Sequence, residues 1–261
     1  MPDLRLLYGK AALRSMNRPA SNEAFRALLA EGLGALLLAA TVIGSGVMAD
    51  RLAAGNTAIA LLANTGATVA VLAVLIGLLS PVSGAHFNPV VSLVLALRAE
   101  ISWRLMAGYA VVQVLGCCLG AILAHAMFGL QLIQWSFHAR TGGPQWLAEA
   151  VATCGLLLVV LGPKRPQDAA WMVAGWTGAA YWFTASTSFA NPAITLARSL
   201  SDTFAGIRPT DVPAFIGAQI GGALCAALIA RVLFAKRASI SRDGVAVEDR
   251  TGSAVTPGVS Q

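Results

Sequence analysis

Asn88–Leu97, NPVVSLVLAL, and Asn191–Leu200, NPAITLARSL, are two copies of one short apolar motif set 103 residues apart. Each opens on Asn-Pro. Asn is a favoured helix N-cap and Pro a favoured first helical residue, so each pair starts a helix with an unsatisfied, positive N-terminal end. The apolar stretches themselves, 88–98 and 191–200, are 11 and 10 residues long. A helix that crosses a bilayer needs roughly 20 residues. Neither copy crosses.

The surrounding sequence says that a bilayer is the solvent. Of 261 residues, 57% are hydrophobic and 11% charged, against about a quarter charged in soluble domains. Six segments are long and apolar enough to be read as spans: 24–47, 58–80, 104–128, 145–162, 169–187 and 212–235. With the N-terminus inside, all but four of the 18 Lys and Arg (Arg51, Arg140, Arg198 and Arg208) fall on the inner side. That asymmetry follows the positive-inside rule and predicts cytoplasmic termini. The net charge of +6 therefore reflects topology, not a nucleic-acid partner.

Residues 1–23 are polar and basic without a continuous apolar run, and are read as a cytoplasmic tail, not a cleaved signal peptide. Residues 236–261 are small and polar and are expected to be disordered. Cys117, Cys118, Cys154 and Cys225 all lie in apolar runs without zinc or redox spacing. They are read as small hydrophobes, with a thiol that meets a thiophilic solute as the other reading.

The duplication extends beyond the short motif. Gln113 in QVLGCCLGAILA matches Gln219 in QIGGALCAALIA, and Ala30-Glu31 matches Ala148-Glu149. Each unit, about 24–129 and 145–235, holds three spans, so the second enters the membrane from the opposite side. Inverted repeats with paired short helices place a solute path at the repeat interface near the midplane. Non-helical backbone at that depth is tolerated only within protein or beside a water-filled cavity. The two Asn-Pro starts are thus expected to meet nose to nose, each with about half a positive charge. Such a field repels cations and protons, while the Asn amides hydrogen-bond a neutral guest.

SGAHFNPVVSL and SFANPAITLARSL resemble the two Asn-Pro-Ala boxes of the aquaporin and glyceroporin (major intrinsic protein) family, over about residues 24–235. The resemblance implies an all-α membrane protein of six transmembrane helices and two re-entrant half-helices, with a pore in each protomer of a homotetramer embedded in lipid. The boxes are Asn88, Pro89, Val90 and Asn191, Pro192, Ala193, with Val90 standing where Ala is usual. It also implies that Glu31 and Glu149 brace the re-entrant loops; for Glu31, near the start of its span, the alternative is a carboxylate that reaches water. His86, two residues before Asn88, either presents its ring to solute or holds loop backbone. As a histidine it titrates near neutral pH, so a proton-sensing gate is a further reading.

Counting from the boxes as the family resemblance directs gives a selectivity filter of Thr68, Ala179, Ser188 and Ile194. The aromatic or His groups and the Arg usual there are missing, so the filter is expected to be wide and without its arginine. Arg198 lies one helical turn beyond Ile194; it either leans back over the mouth or snorkels to water and binds loop carbonyls. The run NPAITLARSLSDTFAGI resembles bacterial aquaporins encoded beside arsenic-resistance genes. That implies a bacterial inner (cell) membrane and passage of trivalent arsenicals, arsenite or methylarsenite, alongside glycerol-like polyols and water. A mainly water-conducting pore is the alternative within the class, and a secondary transporter the alternative outside it. No nucleophile–base pair, metal cluster or phosphate loop points to an enzyme, and no cofactor or metal is called for.

Overall fold

The computed structural model describes residues 20–162, 165 and 168–234. The polar tail expected over 236–261, and most of that over 1–23, lie outside the described residues. Among the described residues there are eight α-helices: α1 (Ala20–Leu52), α2 (Thr57–Ser83), α3 (Pro89–Leu97), α4 (Trp103–Met127), α5 (Gly143–Leu161), α6 (Ala169–Phe183), α7 (Pro192–Arg198) and α8 (Val212–Leu233). Among the described residues there is no strand.

Among the described residues five segments are long and apolar enough to cross a membrane: Asn22–Leu52, Thr57–Ser83, Trp103–Met127, Gly143–Leu161 and Pro209–Leu233. The chain is a multi-pass membrane protein. The segment read as a span over 169–187 is helical only to Phe183; at 15 residues α6 measures about 22 Å and falls short of a full crossing on its own.

The outer surface is apolar in stripes four residues apart. Phe25, Leu29, Leu33 and Leu37 run along α1, Val111, Leu115, Leu119, Leu123 and Met127 along α4, and Leu224, Leu228 and Val232 along α8, all exposed. This is an inside-out distribution for water and the expected one for lipid. Small residues line the opposite faces. α1 packs most extensively on α4, and its counterpart α5 on α8. At both crossings backbone meets backbone: a Cβ at Gly116 would fall on the Gly32 carbonyl, and one at Gly222 on the Ala150 carbonyl. Without a hydrophobic drive between helices in lipid, such close approach of small residues is what holds them. The short helices α3 and α7 each lie against both α4 and α8.

Candidate functional site

Each half-helix begins as the Asn-Pro pairs predict. Asn88 and Asn191 are extended N-caps followed by Pro at the first helical position. The Asn88 side chain accepts from Val90 N, and Asn191 from Ala193 N and Ile194 N. With both side-chain oxygens engaged, the amide nitrogens cross over. Asn88 Nδ2 donates to the Ala190 carbonyl and Asn191 Nδ2 to the Phe87 carbonyl, both at 2.8 Å. One N–H of each amide remains beyond these bonds. The half-helix tips are thereby tied to each other.

The loops before the asparagines bend sharply, and in matched places. Ala85 and Phe87 have φ of 53° and 48°; Ser188 and Ala190, their repeat counterparts, have 49° and 48°. Left-handed non-glycine backbone costs of order 1–3 kcal/mol per residue and persists only where its surroundings over-determine it. Two carboxylates do so. Glu31 accepts from His86 N at 2.9 Å, Phe87 N at 2.7 Å, Ser83 Oγ at 2.6 Å and Gln113 Nε2 at 2.8 Å. Glu149 accepts from Phe189 N at 2.8 Å, Ala190 N at 2.9 Å and Gln219 Nε2 at 2.7 Å. Both carboxylates are fully buried, so the reading in which Glu31 reaches water is set aside. Gln113 and Gln219 each reach on to a half-helix hydroxyl, Ser92 and Thr195. Sequence matching found these glutamines as repeat markers but gave them no role.

A cavity of about 370 Å³ runs past both asparagines. One wall is apolar, with Leu38, Val42, Leu72 and Ile76; Thr68, His86, Asn88, Ser188, Asn191 and Arg198 add polar groups. His86 lines the cavity, and its Nδ1 lies 2.9 Å from Ser92 Oγ, a helix side chain and not the loop backbone, with Tyr109 edge-on to the ring. Val90 and Ala193, the third residues of the boxes, are buried in the first turns of α3 and α7.

Of the four counted filter positions, Thr68, Ser188 and Ile194 line the cavity. Ala179 does not: it is exposed, and α6 presents Thr177 and Tyr181 to the cavity instead. Two residues along a helix turn the side chain by about 200°, so an error of two in the count reverses the face. The count therefore lands on the outward face of α6, and Tyr181 brings an aromatic ring to the cavity. Tyr181 Oη lies 3.4 Å from Thr68 Oγ1, whose own proton goes to the Asn64 carbonyl.

Position 194 is Ile, but Arg198 lines the cavity and is only 3% exposed. It does not snorkel out to solvent, yet it binds a loop carbonyl as the second reading expects. Its Nε donates to the Ala205 carbonyl, and its guanidinium carbon sits 3.4 Å over the Phe189 ring. Arg140, from the segment between α4 and α5, faces the same ring at 5.0 Å and donates to the carbonyls of Gly206 and Ser186. Burial pushes the Arg140 guanidinium below its ordinary value, opposed chiefly by the Glu149 carboxylate. Phe189 is the repeat counterpart of His86, and nothing in its spacing marked it as the arginine's platform.

In this multi-pass helical protein the two short helices begin beside each other at one cavity, an arrangement that suits a channel. The sequence profile named Major intrinsic protein matches residues 18–172. The chain is 52% identical to Aquaglyceroporin AqpS of Rhizobium meliloti (strain 1021) over 210 residues, 80% of this chain and 90% of that one. It is 32% identical over 149 residues to a probable glycerol uptake facilitator protein of Thermotoga maritima, 51% of this chain and 62% of that one. In fold it matches the X-ray structure of the aquaglyceroporin from Plasmodium falciparum with a TM-score of 0.62 at 18% identity, covering 81% of this chain and 97% of that one. The chain belongs to the major intrinsic protein family, whose members are passive channels and not enzymes.

Proposed function

We propose that this chain is a passive channel for small uncharged solutes, with water, glycerol-like polyols and trivalent arsenicals such as arsenite as the class that fits. The observation that carries this reading is the reciprocal pair of amide bonds, Asn88 to Ala190 and Asn191 to Phe87. It fixes two donor-only groups on one cavity wall. Each Asn oxygen is spent on its own half-helix, so the pair offers N–H to a passing oxygen and no acceptor in return. A hydroxylic solute is held; hydronium, which has no acceptor to offer, is not. Two positive helix ends add a field that opposes cations.

The uneven walls suit a polyol, whose hydroxyls face the asparagines while its carbons run along Leu72 and Ile76. Arsenous acid, neutral at pH 7 and polyol-like, presents the same surface. At the outer end, Thr68, Tyr181, Ser188 and Ile194 surround the passage and Arg198 supplies a positive charge one turn from its usual place. In this reading α6 and its flanking residues complete a sixth crossing, α3 and α7 are re-entrant, both termini are cytoplasmic, and four copies assemble in the bacterial inner membrane. Five segments are long enough to span by themselves, the sixth crossing rests on α6 with its flanking residues, and the orientation rests on the Lys and Arg distribution.

Stopped-flow light scattering on proteoliposomes tests the reading. Water, glycerol, urea and arsenite should each enter faster than into empty vesicles, at rates indifferent to ion gradients. Accumulation driven by an ion gradient would instead favour a secondary transporter.

A further inference from the structure

α5 and α8 run side by side in the same direction, and their register is fixed at both ends. A Cβ at Gly222 would meet the Ala150 carbonyl, and one at Gly162 the Phe234 ring. Both contacts join positions 72 residues apart (150 with 222, 162 with 234). The same register sets Cys154 level with Ala226 and beside Cys225, near enough for the two thiols to act on each other. Cys154 is half-buried and Cys225 exposed. Neither lines the cavity.

The first repeat supplies the comparison. There Gly116 meets Gly32 and Gly120 meets Leu36, which sets Leu36 beside Leu119. Leu36 is half-buried and Leu119 exposed, matching Cys154 and Cys225. Where one repeat places two leucines against lipid, the other places two sulfurs. Packing alone is served by leucine.

Depth follows from Glu149 and Gln219, which hold the loop before Asn191. Cys154 lies five residues and Cys225 six residues further along their helices, about 8–9 Å. That is within the hydrocarbon, whose half-thickness is about 15 Å. A reagent that reaches these thiols from the bilayer must be neutral and apolar.

We propose that Cys154 and Cys225 form a dithiol site, outside the pore, that captures neutral soft electrophiles taking two sulfurs on one atom, the class of monosubstituted trivalent arsenic, R–As(OH)2. Each thiol displaces one hydroxyl. Two As–O and two S–H bonds break, two As–S bonds form, and two waters leave with the protons. Arsenic stays trivalent, so no oxidant is needed, and no charge is created in the hydrocarbon. The adjacent pair Cys117 and Cys118 is not such a site. Cys117 is fully buried with its Sγ toward the Ala35 carbonyl, and neighbouring helix positions point about 100° apart.

The test uses the full chain in proteoliposomes with phenylarsine oxide as the probe, read by intact mass and by maleimide counting of free thiols. The expected result is one phenylarsenic group per chain with two thiols lost, reversed by dimercaptopropanol and not by glutathione. Cys154→Leu and Cys225→Leu, which install the first repeat's residue, lose the bridge, as do Cys154→Ser and Cys225→Ser; water flux shows that each variant is folded. Cys117→Ala and Cys118→Ala keep it, and water flux of the loaded wild type equals that of the unloaded. An adduct that persists when either Cys154 or Cys225 is replaced, that glutathione removes, or that blocks water flux overturns the proposal. So does failure of the wild type to bind.

Discussion

Glu149→Gln removes a charge from the centre of the protein without changing its shape. In the wild type the carboxylate accepts from Phe189 N, Ala190 N and Gln219 Nε2, at 2.7–2.9 Å. A glutamine keeps one acceptor oxygen and turns an NH2 toward a donor that then has no partner. Hydrogen bonds to a charged group contribute about 1.5–3 kcal/mol each, and a buried orphaned donor costs about 1–3 kcal/mol. Losing charge assistance on the retained bonds and orphaning one donor together come to about 3 kcal/mol. The cost falls on Ser188 and Ala190, whose positive φ the carboxylate holds in place, and thus on the Ala190 carbonyl that positions Asn88. The variant should unfold at a lower temperature by tryptophan fluorescence and lose most of its water and glycerol flux in vesicles. Gln219→Leu, which leaves the carboxylate both backbone donors, should do less damage. Wild-type stability together with wild-type flux in Glu149→Gln would refute the idea that the carboxylate holds the loop.

Ile194→Arg should cut glycerol and arsenite entry while sparing water more, because a second guanidinium then narrows the outer end beside Arg198; unchanged solute flux would mean that position 194 does not bound the passage. Tyr181→Ala should widen the same region and raise entry of polyols longer than glycerol, whereas Ala179→Tyr on the outward face should leave flux as it is. Asn88→Asp removes the donor to the Ala190 carbonyl and sets a negative charge beside the positive helix ends, so proteoliposomes should leak cations, read with a potential-sensitive dye. Gly222→Val should abolish folded protein, judged by size exclusion, since its side chain would occupy the place of the Ala150 carbonyl.

Much of this was legible because it is written locally or twice. Asn-Pro sets a helix start whatever surrounds it, and a duplicated Asn-Pro inside an apolar chain has few other uses. Glu31 and Glu149 stood out because a carboxylate in a span needs a partner. The filter was harder. α6 stops at Phe183, and left-handed residues at Thr187, Ser188 and Ala190 interrupt the stretch before Asn191, so a fixed count through it lands on Ala179 and not on Tyr181. Arg198 could be placed by number but not by direction, since its setting depends on Phe189 and the Ala205 carbonyl, brought in by folds of the chain on either side. Gln113 and Gln219 serve carboxylates 82 and 70 residues away, a distance that no local pattern encodes.

The most direct test loads proteoliposomes with a pH-sensitive dye and follows glycerol swelling and internal pH in the same mixing experiment, with an imposed proton gradient. Two donor-only amides at opposed positive helix tips predict rapid swelling while the pH difference decays no faster than in empty vesicles. Collapse of the gradient in step with glycerol entry would contradict them.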